Sequence, residues 1–254
     1  MLLYRIGPEG FYAAAERLGG EARFLHSDPF ETRPGGWEYG ATVELQGLLA
    51  PVVPGKVIGV GRNYGAHAAE LGNEAPAEPI VFLKPPSSVI GPRTPVLLPP
   101  ESADVEFEGE IAVVIGERVR RVDAAAAAAA ILGVTCAVDV TARDLQRRDA
   151  TCARGKGFDT FCPLGPAILL DADLGRLAVV TRINGEERQR ASTSEMAWGP
   201  AELVSWVSQT MTLEAGDVLL TGTPAGVGRL AAGDRIEVEV CGVGVLENPV
   251  EVEA

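Results

Sequence analysis

Val105-Glu106-Phe107-Glu108-Gly109-Glu110-Ile111 runs without a break into Ala112-Val113-Val114-Ile115-Gly116. The apolar half of this stretch reads as a buried strand, and the acidic half continues it. Side chains alternate faces along a strand, so Glu106, Glu108 and Glu110 are expected on one side. Like charges packed on one face repel each other. Two readings fit: a solvated acidic face, or a cluster whose repulsion a hard divalent cation would turn into attraction.

The surrounding chain has 254 residues, long enough for one large domain or a main domain with an appendage. Its net charge of −13 and the lack of a basic stripe argue against nucleic-acid binding. The opening residues lack the charged and apolar regions of a signal peptide. The longest apolar run, from about Ala124 to Val138, is too short and too Ala-rich to span a bilayer. Cys136, Cys152, Cys162 and Cys241 show neither CxxC nor metal spacing, and are expected to stay reduced. The expectation is a cytoplasmic protein without a membrane partner.

The cations are used unevenly. There are 19 Arg but only three Lys, at 56, 84 and 156. Arg and Lys differ in shape and in how readily their pKa moves, so a retained Lys points to a specific task. Only His26 and His67 could supply a catalytic imidazole.

Residues 1–50 read as a small unit of their own, with a short helix over Phe11–Leu18 and a turn-rich stretch from Pro29 to Gly40. Residues 51–254 read as the main domain. Strands are expected over Lys56–Gly61, Ile80–Leu83, Val96–Leu98, Gly133–Val140, Val218–Leu220 and Arg235–Val240. Helices are expected over Tyr64–Leu71, ended by Gly72-Asn73, after Asp123 with its seven following Ala, over the polar stretch Thr141–Arg148, and over Pro200–Gln209. Asn184-Gly185 marks a hairpin with a type I′ turn. Many short strands broken by Gly and Pro, with few helices, predict a β-rich mixed α/β fold.

Three segments carry chemistry beside the acidic strand. Gly59–Glu70 resembles a dinucleotide fingerprint, but its third Gly falls one place late and no βαβ unit follows. Within it, His67 and Glu70 are spaced i, i+3, which puts them within reach on one helix face. Such a pair is either a surface ion pair or a general base with its orienting carboxylate. Asp139 sits in an apolar strand, where a carboxylate is costly unless it is paired or metal-bound. The third segment pairs Gly155-Lys156-Gly157 with the Gly-rich Thr221–Gly228. The glycines would let backbone approach a ligand, and the Thr hydroxyls and amides of the second stretch would suit a carboxylate. The lack of a terminal Lys-Ser/Thr argues against ATP.

Taken in order, these segments and their neighbours resemble the fumarylacetoacetate hydrolase family over roughly residues 51–250. The resemblance rests on Gly61-Arg62-Asn63-Tyr64 with His67, Phe82-Leu83-Lys84-Pro85-Pro86-Ser87, and Glu108-x-Glu110 followed by Val113-Val114-Ile115-Gly116. It extends through Asp139-Val140-Thr141-Ala142-Arg143-Asp144-Leu145-Gln146, Lys156-Gly157-Phe158-Asp159-Thr160-Phe161-Cys162-Pro163 and Asn184-Gly185-Glu186. Thr193-Ser194-Glu195-Met196 and Thr221-Gly222-Thr223-Pro224 with Gly226-Val227-Gly228 complete it.

The resemblance implies a distorted β-roll, commonly in a homodimer, with the unit at 1–50 outside the shared core. It implies Glu108, Glu110 and Asp139 as ligands of Mg²⁺ or Mn²⁺, with Ca²⁺ a further candidate. It implies His67 and Glu70 as a water-activating dyad, Lys156 as a cation beside the metal, and substrate contacts at Arg62, Lys84, Arg143, Gln146 and Thr223. Glu106 falls where the motif varies and is read as a solvated neighbour. The implied partner is a small anionic 2-oxo acid. The first expectation is hydrolysis of a C–C bond in acylpyruvate-type 2,4-dioxo acids, within aromatic catabolism. The alternative is isomerisation or decarboxylation of 2-hydroxyhepta-2,4-diene-1,7-dioate or oxaloacetate-like acids. A non-catalytic metal-binding module would leave the dyad without a role.

Overall fold

The structure is a computed structural model that describes all residues except 33, 71, 73–75 and 254. The chain opens with a meander of four strands: β1 (Leu2–Ile6), β2 (Phe11–Ala15), β3 (Ala22–Leu25) and β4 (Tyr39–Val43). The helix expected over Phe11–Leu18 is instead the strand β2. It pairs with β1 from Leu2↔Ala15 to Ile6↔Phe11, across a turn in which Gly7 and Gly10 both take positive φ. Alanine's helix preference is a weak local bias. Here burial of Ala13, Ala14 and Ala15 in the sheet overrides it.

The main body continues with β5 (Val57–Gly61), helix α1 (Gly65–Glu70), β6 (Ile80–Lys84), β7 (Val89–Ile90), β8 (Val96–Leu98) and β9 (Val105–Phe107). Next come β10 (Gly109–Ile115), α2 (Ala124–Ala130), β11 (Ile131–Val138), β12 (Thr141–Ala142), α3 (Arg143–Arg148), α4 (Ala153–Lys156) and β13 (Cys162–Leu170). The hairpin β14 (Ala178–Ile183) and β15 (Glu186–Ser192) follows, then α5 (Pro200–Thr210), β16 (Val218–Leu220), β17 (Gly228–Arg229), β18 (Arg235–Val240) and β19 (Gly244–Val252). Most strands expected from the sequence appear within a residue or two of their bounds. The end expected for α1 at Leu71 and Asn73 lies outside the described residues. Asp123 caps α2 as expected, its carboxylate accepting from Ala126 N at 2.9 Å. Asn184 and Gly185 both have positive φ, as a type I′ turn needs.

The described strands make a β-rich mixed α/β fold. One sheet runs β4-β3-β2-β1-β13-β11-β10-β16-β5-β6, a second β15-β14-β18-β19-β8, and a short third β12-β9-β17. The largest apolar cluster lies between the first two, around Phe107, Ile111, Val113, Val134, Val179 and Val238. The meander carries a small core of its own, around Leu2, Tyr4, Ala13 and Ala167, and joins the main sheet through β1 and β13. β5 and β6 run antiparallel on either side of α1, so the glycines at 59–65 do not open a dinucleotide-binding βαβ unit.

Two features of this arrangement position the site. The strand through the acidic stretch breaks at Glu108: β9 goes to the third sheet and β10 to the first. The register of β10 on β11 pairs Gly109 with Val138 and Glu110 with Ala137. Glu108 and Asp139 therefore meet at the open end of that ladder, where Asp139 N donates to Glu108 O at 2.8 Å.

Candidate active site

Glu108, Glu110 and Asp139 bring one carboxylate oxygen each to within 4.8 Å of one another, and all three are buried. The sequence could not place residues 108 and 139 together; the register does. Three buried carboxylates at this spacing would be strongly repulsive alone. The chain offsets the charge with two lysines. Lys156 Nζ donates to Glu108 Oε2 at 2.9 Å, Asp139 Oδ2 at 2.6 Å and Thr141 Oγ1 at 2.8 Å. Lys84 Nζ donates to Asp139 Oδ1 at 2.7 Å, and to the carbonyls of Lys156 at 2.6 Å and Val140 at 3.3 Å. The third lysine, Lys56, pairs with Asp217. The scarcity of Lys in the sequence thus marked ion-paired positions in every case.

The electrostatics divide the carboxylates. Burial alone would raise the Glu108 carboxyl, but the Lys156 and Arg143 charges outweigh it and hold it well below the usual range. Burial, and then the charges of Asp139 and Glu108, push the Glu110 carboxyl well above its usual range. Lys156 and the Gly222 N–H, which donates to Glu110 Oε2 at 2.5 Å, offset this only in part. Burial works against the Lys156 ammonium, but Asp139 and Glu108 more than compensate and raise its pKa. Among the described residues Glu110 has no ion-pair partner, although it is buried. A hard cation with oxygen ligands fits this donor set, because it would supply the positive charge Glu110 lacks.

A cleft of about 470 Å³ reaches the cluster at Glu108. Its lining includes Arg62, His67, Phe82, Glu108, Arg143, Gln146, Lys156 and Thr223. The Phe82 ring lies 4.8 Å from Lys156 Nζ, a cation–π contact that helps hold the ammonium at the cleft floor. Arg62 sits at the rim in the left-handed backbone region, with φ 59°. A non-glycine residue there costs about 1–2 kcal/mol, a cost commonly found where function sets the backbone. His67 is buried in α1, and its Nδ1 lies 3.4 Å from Glu70 Oε2. Gly226 N donates to both Glu70 oxygens, at 3.0 and 3.1 Å.

Several expectations change at this level of detail. The Thr221–Gly228 loop does bind carboxylates through its amides, but they are the protein's own, Glu110 and Glu70. Gly155 and Gly157 serve packing: a Cβ at 155 would stand 3.0 Å from Gln146 N, and one at 157 would stand 2.4 Å from Ala153 O. Glu106 is a tight partner of Arg143, with Arg143 Nε donating to its Oε2 at 2.7 Å, so the solvated reading is corrected. Arg143 also donates to Gln146 Oε1 at 2.7 Å and Glu108 Oε1 at 2.5 Å, so it and Gln146 line the cleft already engaged with each other. Lys84, expected to touch substrate, is 1% exposed with its ammonium enclosed by three acceptors. That expectation is corrected: Lys84 braces Asp139 and the backbone of Lys156 from behind. Thr223 does line the cleft, but its hydroxyl donates to Gly109 O at 2.9 Å.

Two buried amides, one of them inside a quoted motif, were given no role by the sequence. Asn63 donates to the carbonyls of Trp198 and Thr221 at 3.0 and 2.8 Å, and accepts from Trp198 N at 3.0 Å. It ties the turn before α1 to the Thr221 loop. Gln189, on β15, reaches Gly109, Thr223 and Pro224.

Comparison with known proteins gives the chain relatives in both sequence and fold. The family model described as fumarylacetoacetate (FAA) hydrolase C-terminal matches residues 56–251. Protein Rv2993c of Mycobacterium tuberculosis is 48% identical over 206 residues, which cover 80% of this chain and 78% of that protein. The mitochondrial oxaloacetate tautomerase FAHD2A of Bos taurus is 45% identical over 216 residues, covering 80% and 69%. Among solved structures, 5-carboxymethyl-2-hydroxymuconate delta-isomerase from Mycobacterium smegmatis superposes with a TM-score of 0.91 at 43% identity, over the full length of both chains.

Proposed function

The chain belongs to the fumarylacetoacetate hydrolase family, and from that premise we propose that it is a divalent-metal-dependent enzyme that moves a proton beside the carbonyl of a small 2-oxo acid. The reaction favoured is keto–enol tautomerisation or the related double-bond isomerisation. The observation that carries this reading is a cleft lined by His67, Lys156 and Glu108, with Glu108 one member of the buried carboxylate triad. Relatives at 45% and 43% identity are named a tautomerase and an isomerase.

Glu108, Glu110 and Asp139 would hold the cation, Mg²⁺ first among hard ions and Mn²⁺ or Ca²⁺ next. When bound, such an ion supplies Lewis acidity toward the carboxylate and neighbouring carbonyl oxygens of a 2-oxo acid. The chain's own groups do the rest. Lys156, its three N–H groups already given to Glu108, Asp139 and Thr141, lends the charge of its ammonium to the cleft lining, where negative charge develops on the carbonyl oxygen as the adjacent C–H is broken. In the tautomer with a proton on Nδ1, His67 would donate to Glu70, and its other ring nitrogen would take and return the proton. Arg62 at the rim offers a charge for the anionic substrate.

The His67–Glu70 pair also supports a second reading, C–C hydrolysis of a 2,4-dioxo acid, because a base oriented by a carboxylate can activate water. Both readings are tested by one panel of 2-oxo acids with Mg²⁺ or Mn²⁺ in D₂O. Loss of enol absorbance with deuterium entering beside the carbonyl, and no carbon products, is the expected result. Acid fragments from acylpyruvates would establish hydrolysis instead, and CO₂ from oxaloacetate would establish decarboxylation. No turnover of any member would overturn the enzymatic reading.

A further inference from the structure

Gln189 lies on β15, in the second sheet, within the exposed charged run Glu186-Glu187-Arg188-Gln189-Arg190, yet its side chain is buried. Its carbonyl Oε1 accepts the Gly109 N–H at 3.0 Å. Its Nε2 donates to Thr223 Oγ1 and to Pro224 O, both at 2.8 Å. The Thr223 hydroxyl closes the ring by donating to Gly109 O at 2.9 Å. Both backbone polar groups of Gly109 are thereby fixed by one amide and one hydroxyl.

The ends of this ring bear on function. Gly109 is the residue between Glu108 and Glu110, so its orientation aims both carboxylates. Thr223 follows Gly222, whose N–H holds Glu110, and the same loop reaches Gly226, whose N–H holds Glu70. The close fit leaves no slack. A Cβ on Gly109 would fall 1.9 Å from Thr181 Oγ1, and one on Gly226 would fall 2.0 Å from Arg188 O. Thr181 is the register partner of Gln189 across the hairpin, so the hairpin forms the seat for both segments.

We propose that Gln189 is a positioning residue that couples the carboxylate centre to the His67–Glu70 pair through a single buried amide. The inference rests on the reading that Glu108, Glu110 and Asp139 hold a cation. An amide is needed because the site asks for one acceptor toward Gly109 N–H and two donors toward Thr223 and Pro224. A carboxylate would set an acceptor against Pro224 O, and a leucine would leave all three partners unmet.

The test uses the full chain and Mg²⁺ alone as the probe. In Gln189→Leu, calorimetric Mg²⁺ affinity falls by about tenfold or more, and amide hydrogen exchange at Gly109 accelerates. With a 2-oxo acid that turns over, kcat falls while KM changes little, and combining the variant with Glu70→Gln gives less than the product of the two losses. Gln189→Glu, which keeps shape and one acceptor, shows the same directions and serves if the leucine variant does not fold. Val207→Ala, a cavity in the remote helix α5, matches a fall in Tm without touching the ring. Mg²⁺ affinity and Gly109 exchange within twofold of wild type in both Gln189 variants would overturn the proposal. So would an equal loss of affinity in Val207→Ala at the same Tm. Absence of Mg²⁺ binding in the wild type is a separate outcome: it would overturn the cation reading first, and this proposal with it.

Discussion

The two walls of the cleft are held to very different degrees. On the carboxylate wall, Asp139 alone receives both lysines, Lys156 is held by three acceptors, and Arg143 spans Glu106, Glu108 and Gln146. On the α1 side, His67 meets Glu70 by one 3.4 Å contact on a six-residue helix, and the Glu70 side chain is about one-third exposed. Groups that must bear charge in a dry place are over-determined, because any loose polar group there is costly. His67, the group that would exchange a proton, has that one long contact, while Glu70 behind it is anchored by Gly226 N. The contrast separates binding from chemistry: losses at His67 and at the carboxylates should fall on different steps, with the Gln189 ring the element that joins the two.

The sharpest break is Asp139→Ala. It strips Lys84 and Lys156 of their shared carboxylate, and breaking a buried pair costs about 3–5 kcal/mol. Mg²⁺ binding should vanish by calorimetry, and the urea midpoint should fall by a matching amount. Next comes His67→Ala, expected to lower turnover by about 10²–10⁴-fold while Mg²⁺ affinity stays within twofold. If Mg²⁺ affinity fell with it, His67 itself would belong to the binding machinery. Glu70→Gln should cost only about tenfold in kcat, below the range for the base itself. A loss as large as that of His67→Ala would show this wall to be as rigid as the other. The smallest effect is on protons. Without a cation the Glu110 carboxyl lies above its ordinary range, and a cation needs it ionised. Apparent Mg²⁺ affinity should therefore rise with pH through the Glu110 titration and level off above it. Calorimetry in two buffers of different ionisation enthalpy should show proton release below that point and none above.

What the sequence revealed follows from which forces are local. Glu108 and Glu110 were readable because a strand's period of two is local, and Asp139 because a carboxylate in an apolar run demands a partner. Their meeting depends on the β10–β11 register, which brings together residues 108 and 139, 31 positions apart, and has no local signature. Phe11–Ala15 misled because its alanines favour a helix until a neighbouring strand buries them. Lys84 matched a motif, but a motif does not say whether a side chain faces the cleft or the wall behind it. Gln189 hid among charged neighbours. Its only trace is the alternation that buries 189 and 191 while 188 and 190 stay exposed.

The sparing use of lysine also shapes how the surface meets electrophiles. Two of the three ammonium groups are sealed inside ion pairs, and Lys56, about one-quarter exposed, leans on Asp217. Reagents and acyl donors that hunt for free amines would find an arginine exterior that gives them almost nothing to attack. Acylation detected at Lys84, which is buried away from the cleft, would then record that the fold had opened, and so would serve as a chemical stamp of unfolding.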